Sequence, residues 1–468
     1  MNKDQQKKDL ILNQPNIYKG LIVLALPVML NNFIKTIHDI IDMFFVSKIP
    51  EFSTEAISSI SLTFPVNFTY VSLGIGLSAA GTALMSQFIG ANKLKDAKKY
   101  AGNLLIISVL LGIFLNIFSY FLSPSIMQLM GTKDYVLEQS SLYLKIRSFE
   151  LPFVFLFFAF TSIRQSSGDT TTAVYFGIAT VVLNIILTPI FVSVLNMGVS
   201  GAAYATLISN VVITPFMLYV LFFSKSGITV SKSDFQIDGE IIHEITERAI
   251  PASLGQAFTA IGFIIMNAMI VGYGDQTVAA FSVGNRINSL ILQPVMAIGA
   301  VLATYIGQNI GNNQPERARE AFKKAMSLSV AIMIVGATIF MFLRKPMILV
   351  FLDDDPVAYK QAYEYMFYLL LGIPLMAVFQ TFLGLFNGTG HTRFTFIITV
   401  TRLWILRIPM ILLFGYFTSL AHLGIWIAMF ISNFLIMIPG FILYKQIDFK
   451  PIIKQRKNHD KDDHPIMI

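Results

Sequence analysis

The stretch "NNFIKTIHDIIDMFFV" (31–46) sets Lys35, His38, Asp39 and Asp42 inside an otherwise apolar run. Asn31, Lys35, His38 and Asp42 recur at i, i+4, i+7 and i+11, so a helix places them along one face. Asp39 follows Lys35 by four residues, the spacing of an intrahelical ion pair. A carboxylate in a dry pocket holds its proton more firmly than in water, so the chemistry on offer is proton uptake or release of a bound cation. Charges inside an apolar span are expensive and face a cavity or a partner. Two roles are open for Asp42: a coupling carboxylate, or a salt bridge to Lys35 or His38 that only holds the segment in place.

Other polar groups interrupt apolar runs further along. Asn184 and Thr206 are hydrogen-bonding candidates beside Asp42, with ordinary helix packing as the alternative for Thr206. Glu150 in "RSFELPF" either attracts cationic substrates or pairs with Arg147 or Lys145. Arg286, Arg402 and Arg407 have three readings: closing against Asp39, Asp42 or Glu150, binding an anionic group, or capping carbonyls freed near Pro294 and Pro409. The chain has 41 Phe and 21 Met, most of which must face lipid or other helices. Flat rings and flexible Met suit varied drug-like ligands, and Phe64, Phe153, Phe157, Gln256, Met266 and Gln380 are candidates for a cavity wall.

The elements that position these groups are membrane helices. Of 468 residues 55% are hydrophobic and 13% charged, against about 25% charged in ordinary soluble domains. Apolar runs of a length that crosses the bilayer fall near 20–46, 55–84, 102–121, 147–163, 172–192, 201–223, 249–272, 278–305, 325–343, 365–386, 395–417 and 424–444. Twelve spans predict an all-α polytopic membrane protein. The formal charge of +7 concentrates on alternate loops and the tail, the pattern that sets cytoplasmic orientation rather than nucleic-acid binding. Both termini are expected in the cytoplasm. With no cysteine, disulfides and thiolate metal sites are excluded.

The spans form two repeats. "SQFIGANKLKDA" (86–97) and "GQNIGNNQPERA" (307–318) align Gln87 with Gln308, Gly90 with Gly311, Asn92 with Asn313 and Ala97 with Ala318. Pro27 pairs with Pro251, Pro152 with Pro374, Gly168 with Gly390, Gly201 with Gly424, and Ser209-Asn210 with Ser432-Asn433. Six spans per repeat keep the two in the same orientation, which implies two pseudo-symmetric six-helix lobes around a cavity. The expected organisation is a lead-in at 1–19, a first lobe at 20–223, a polar linker with a solvated charged face at 224–248, a second lobe at 249–444 and a disordered cytoplasmic tail at 445–468. This repeat disposes of the potassium-filter look of "VGYGD" (271–275), because its counterpart in the first half, "VSKIPEF", is a plain turn. No HExxH and no paired-aspartate motif supports an intramembrane enzyme.

The combined landmarks resemble the multidrug and toxic compound extrusion (MATE) antiporters. They are "ALPVML", "IIDMFFVS", "SQFIGANKLKDAKKYAGN", "GQNIGNNQPERAREAF", "LNIILTPIF", "GVSGAAYATLISN" and "RLWILRIPM", in order over all twelve spans. The resemblance implies export through an outer-leaflet cavity, driven by a proton or sodium gradient. It places Asp42 at the family's coupling aspartate and Asn184 at a matching position, whereas Thr188 stands where an acid is common. The apolar cores of spans seven and ten lack the carboxylates of a sodium-dependent branch, so coupling by protons through the first lobe is expected.

The resulting expectation is a secondary antiporter that exports amphipathic, mainly cationic drugs in exchange for protons, without enzyme activity. Asp42, Asn184, Asp39 and Thr206 would couple the ion. Glu150, Lys35, His38, Arg286, Gln256, Met266, Phe153 and Phe157 would meet the substrate. Its partners would be small organic molecules, protons or sodium, and membrane lipids, with no nucleic acid, cofactor or metal, and it would act as a monomer. The alternatives are a sodium-coupled drug antiporter and a flippase for lipid or lipid-linked oligosaccharide, in which Arg286 and Arg407 would hold an anionic headgroup.

Overall fold

The computed structural model describes the backbone of residues 3–46, 53–224, 227–352 and 355–453, and within these the side chains of 5–36 and of residues from 59 onward. A short helix, α1 (Lys3–Leu12), precedes α2 (Ile17–Val46), α3 (Ser53–Gly90) and α4 (Leu94–Leu129). Then come α5 (Asp134–Ser148), α6 (Leu151–Ser166), α7 (Thr170–Pro189) and α8 (Gly198–Phe223). The second series runs α9 (Gly239–Val271), α10 (Asp275–Gly311), α11 (Pro315–Leu349) and α12 (Pro356–Gly388). It ends with α13 (Thr392–Val400), α14 (Ile408–Phe417), α15 (His422–Leu435) and α16 (Met437–Lys445).

Among the described residues, 11 helices are long and apolar enough to cross a membrane, or 12 if the pair α5 and α6, bent by 49°, is one span. That pair corrects the fourth predicted span. The polar sequence of α5 hides a helix that extends the span backward from residue 147 to Asp134. Glu150 consequently sits at the bend between α5 and α6.

The bilayer core offers no water to unpaired backbone groups, so helices are the affordable solution, and where one irregularity occurs its hydrogen bonds are rerouted. Pro189 is followed by a wide turn, Ile190–Val194, and Pro409 is preceded by another, Thr401–Arg407. In each, a backbone N–H reaches the carbonyl five residues back: Leu195 to Ile190, and Ile408 to Leu403. The "VGYGD" stretch is the tight turn between α9 and α10, and Gly274 there takes φ 101°, open to glycine and strained for other residues.

The face that carries α1 and the last described residues, the terminal face, is closed where α3 and α10 cross. Gly90 lies so near the backbone of α10 that a Cβ would stand 2.0 Å from the Gln308 carbonyl oxygen. Reciprocally, a Cβ on Gly311 would stand 2.0 Å from that of Gln87. Small residues at both positions let the two helices touch backbone to backbone. The fully buried glutamines then latch each half to the other. Gln308 Nε2 donates to the Ser166 carbonyl at the end of α6 (2.7 Å), and Gln87 Nε2 to that of Gly388 at the end of α12 (3.4 Å).

Two polar segments are more ordered than their composition implies. In the expected solvated linker, Asp234 and Glu244 are buried, Tyr100 donates to Glu244 Oε2 (2.6 Å), and α9 starts at Gly239. The linker's Ile228, Val230, Ile241 and Ile245 explain this, because they pack into the core formed by α3, α4 and α6 and draw the neighbouring acids inward. The start of the tail is also packed: Ile447 and Phe449 are buried, and the Ile452 N–H donates to Gln87 Oε1 (2.9 Å). Residues 454–468 lie outside the described residues.

Candidate functional site

The second half holds a cavity of about 290 Å³ between α9, α10, α12, the α13–α14 unit and α15. Its wall alternates rings and thioethers (Phe263, Tyr365, Tyr368, Phe379, Trp426, Met296, Met376, Met429) with the amides of Gln256, Asn285, Asn288, Gln380 and Asn433. The helices that form it fix its shape by aromatic packing. Tyr365 and Trp426 approach with ring centres 4.3 Å apart, Phe281 stacks on Trp426, and Tyr365 donates to Asn285 Oδ1 (3.2 Å).

Arg402 and Arg407 enter this cavity from the two ends of the wide turn. In an ordinary α-helix residues five apart diverge, but hydrogen bonds to i−5 bring them toward one side. Both are buried, at 6% and 3% exposure. Arg407 donates to Ser432 Oγ (2.9 Å), Asn433 Oδ1 (2.6 Å) and, more weakly, the Met429 carbonyl (3.5 Å). All three lie on α15, so Arg407 does not cap a carbonyl released by Pro409. Arg402 rests on the Phe379 ring (4.5 Å) and touches Met376 Sδ (3.3 Å), and its Nε is buried without a hydrogen-bond partner. Arg286 is exposed on α10 and is not part of this wall.

A smaller cavity, about 150 Å³, lies in the first half between α2, α6 and α7. Asn31, Asn32, Lys35, Phe157, Phe158, Thr161 and Gln165 line it, with the Lys35 ammonium 5.7 Å from the Phe157 ring centre. Gly177 makes room for Asn31: a Cβ there would stand 2.6 Å from Asn31 Oδ1, which is buried and unpaired. Across the cleft between halves, Gln293 Nε2 approaches Thr36 Oγ1 (3.3 Å).

Asn184 and Thr206 touch each other, while their expected place beside Asp42 falls on a side chain outside the described residues. Asn184 Nδ2 donates to Thr206 Oγ1 (3.1 Å), and Thr188 Oγ1 donates to Asn184 Oδ1 (3.1 Å). So Thr188, the departure from the family pattern, bonds to the same amide. His38, Asp39 and Asp42 lie outside the residues with described side chains.

Several expected substrate contacts are placed elsewhere. Glu150 is buried in an ion pair with Arg147 (2.6 Å), which also donates to Tyr143 (3.2 Å), and it lines neither cavity. A carboxylate at a helix bend loses its water and takes the nearest guanidinium. Met266 is fully buried among Phe281, Tyr365, Ile411 and Trp426, so it packs behind the wall without forming it. Phe153 is half-buried on α6, one turn before Phe157, and lines neither cavity; Phe64 is exposed and also absent from both. Gln256, Gln380, Lys35 and Phe157 do line cavities. Sequence reasoning missed Asn285, Asn288 and Asn433 as wall residues. The usable signal was an amide inside an apolar span, at i and i+3 in "GNRINSL" and in the repeated "SN" pair.

The family model described as MatE matches the chain twice, at 27–190 and 251–413, starting at Pro27 and Pro251. "Probable multidrug resistance protein YoeA" of Bacillus subtilis (strain 168) is 24% identical over 422 residues, covering 89% of this chain and 90% of that one. An "FAD transporter" of Shewanella oneidensis is 26% identical over 455 residues, covering 93% and 96%. A solved MOP superfamily transporter from Pyrococcus furiosus, described by the reverse polarity of its binding pocket, superposes with a TM-score of 0.88 at 25% identity, covering 94% of this chain and 97% of that one. The repeated match across most of the chain, on a bundle of membrane-length helices around internal cavities, settles the class: this chain belongs to the MatE family and is a multi-pass membrane transporter, not an enzyme.

Proposed function

We propose that this transporter exports amphipathic, ring-bearing compounds across the cell membrane by alternating access, driven by inward proton movement, with both termini in the cytoplasm. The observation that carries the reading is the ring-and-thioether cavity of the second half, walled by amides that can turn to suit different ligands. The reciprocal closure of the terminal face supports it, because a transporter must seal one side while its site faces the other. The B. subtilis relative named for multidrug resistance supports transport of drugs, and the S. oneidensis relative named as an FAD transporter supports a ring-bearing substrate.

Asp42 is the coupling carboxylate in this reading. Proton uptake would remove its charge and relax its hold on neighbouring polar groups, among which we place Asn184 and Thr206. The preference for cations expected from the sequence finds no support from Glu150, and no carboxylate occurs among the described residues lining either cavity.

Proteoliposomes test this with a fluorescent cationic drug and an imposed gradient of protons or of sodium. Uphill drug movement should follow the proton gradient, and Asp42→Asn should abolish it while leaving the protein folded. Movement that follows sodium alone, or that survives in Asp42→Asn, would contradict proton coupling through this residue.

A further inference from the structure

We infer that the second-half cavity is a binding site for aromatic anions, with Arg402 and Arg407 as the groups that receive a phosphate or carboxylate. The inference rests on the transport reading above and names, for this cavity, aromatic anions in place of the cations expected from the sequence.

Two buried guanidiniums share one cavity wall, and every described partner they have is neutral: a hydroxyl, an amide, a carbonyl, a thioether and a ring. No aspartate or glutamate lines the cavity among the described residues, and no described ion pair includes either arginine. Neutral acceptors orient a guanidinium without cancelling its charge, and two like charges taken out of water call for an anion.

Arg407 is fixed by Ser432 and Asn433, whereas Arg402 keeps a buried Nε–H with no acceptor. A planar fork with unsatisfied donors matches the oxygens of a phosphate or carboxylate. Around the arginines, Phe379, Tyr368, Phe263 and Met376 supply an apolar slot for a flat ring. The wide turn is what makes the pair possible, since it lets residues five apart in "TRLWILR" serve one site. An anionic lipid headgroup and a free anionic solute carry the same chemistry.

The test uses the full-length protein in phosphatidylcholine nanodiscs and three probes with one ring and different charges: 2-naphthyl phosphate, 2-naphthol and 2-naphthyltrimethylammonium. Calorimetry should show the phosphate binding about tenfold or more tighter than either other probe, as charge-assisted bonds to two arginines would give. Inorganic phosphate should compete with it. Arg402→Gln and Arg407→Gln should each weaken the naphthyl phosphate about tenfold, and Arg407→Lys, which keeps charge and loses the fork, should fall between. Equal affinity for the three probes, absence of competition by inorganic phosphate, or unchanged phosphate binding in both glutamine variants would overturn the inference. The first two results need no variant, so a misfolded mutant cannot hide a failure. Adding phosphatidylglycerol to the nanodiscs separates the sources: displacement of the naphthyl phosphate makes a lipid headgroup the occupant, and retention makes it a solute. Proteoliposomes separate this idea from the transport reading. Gradient-driven movement of the naphthyl cation without anion preference sinks the anion site alone. Tight phosphate binding without gradient-driven movement of any probe sinks export alone.

Discussion

Glu150 shows how burial decides the role of one residue. Its sequence context allows a cation-attracting carboxylate or a partner for Arg147, and the bend between α5 and α6 selects the second. Replacing Glu150 by Gln removes the charge that neutralises a mostly buried guanidinium, so it should cost about 2 kcal/mol of stability. Thermal unfolding in detergent should register that loss, while the affinity for an exported cation stays unchanged. A weakened affinity at unchanged stability would instead return Glu150 to the substrate path. Chemistry at this scale was half legible. The types and spacing of Asn184, Thr206, Arg402 and Arg407 drew attention to them, since polar groups in apolar runs stand out. What each would touch was not legible, because Ser432, Asn433 and Phe379 come from helices distant in sequence.

The elements follow from length and hydrophobicity with one exception. Most spans were visible as apolar runs, but α5 is polar enough to read as a loop and is held as helix by its packing on α3, α4 and α8. The linker failed for a related reason: a few buried isoleucines and a valine outweigh its many charges. At the α3–α10 crossing, the paired motifs 86–97 and 307–318 hold Gly90 and Gly311 where any side chain meets backbone. Gly311→Ala should therefore disfavour the closed terminal face. Ser166→Cys, buried at that face, should react with a maleimide about tenfold faster when Gly311→Ala is added, the change produced by a shift of about 1.4 kcal/mol. Equal labelling with and without the alanine would show that the contact does not govern closure.

The whole molecule is two related halves that meet backbone to backbone where α3 crosses α10. The matched prolines, glycines and glutamines made the repeat readable from sequence, because positions that allow close backbone approach tolerate few residue types. The closing contacts themselves were not readable. Gln87 and Gln308 look like ordinary helix-end residues until the fold carries each to the opposite half. The N-terminal segment joins the same closure: α1 sends Lys7 to Asp169 (2.8 Å), and Arg317 holds the Gln14 carbonyl that follows α1 (2.6 Å). The two contacts tie α1 and the residues after it to opposite halves, so opening of that face must release at least one of them.

The most direct test of alternating access is the distance between the halves at that face. Lys95 and Glu316 are exposed repeat equivalents, one just beyond each end of the α3–α10 crossing. The chain has no cysteine, so spin labels at Lys95→Cys and Glu316→Cys report only these sites. Pulsed electron resonance in nanodiscs should find one short distance for the closed face at neutral pH. Acidification or a bound drug should shift part of the population to a longer distance, and Asp42→Asn should remove the response to pH. A single distance, the same at every pH and with or without drug, would contradict transport by alternating closure of this face.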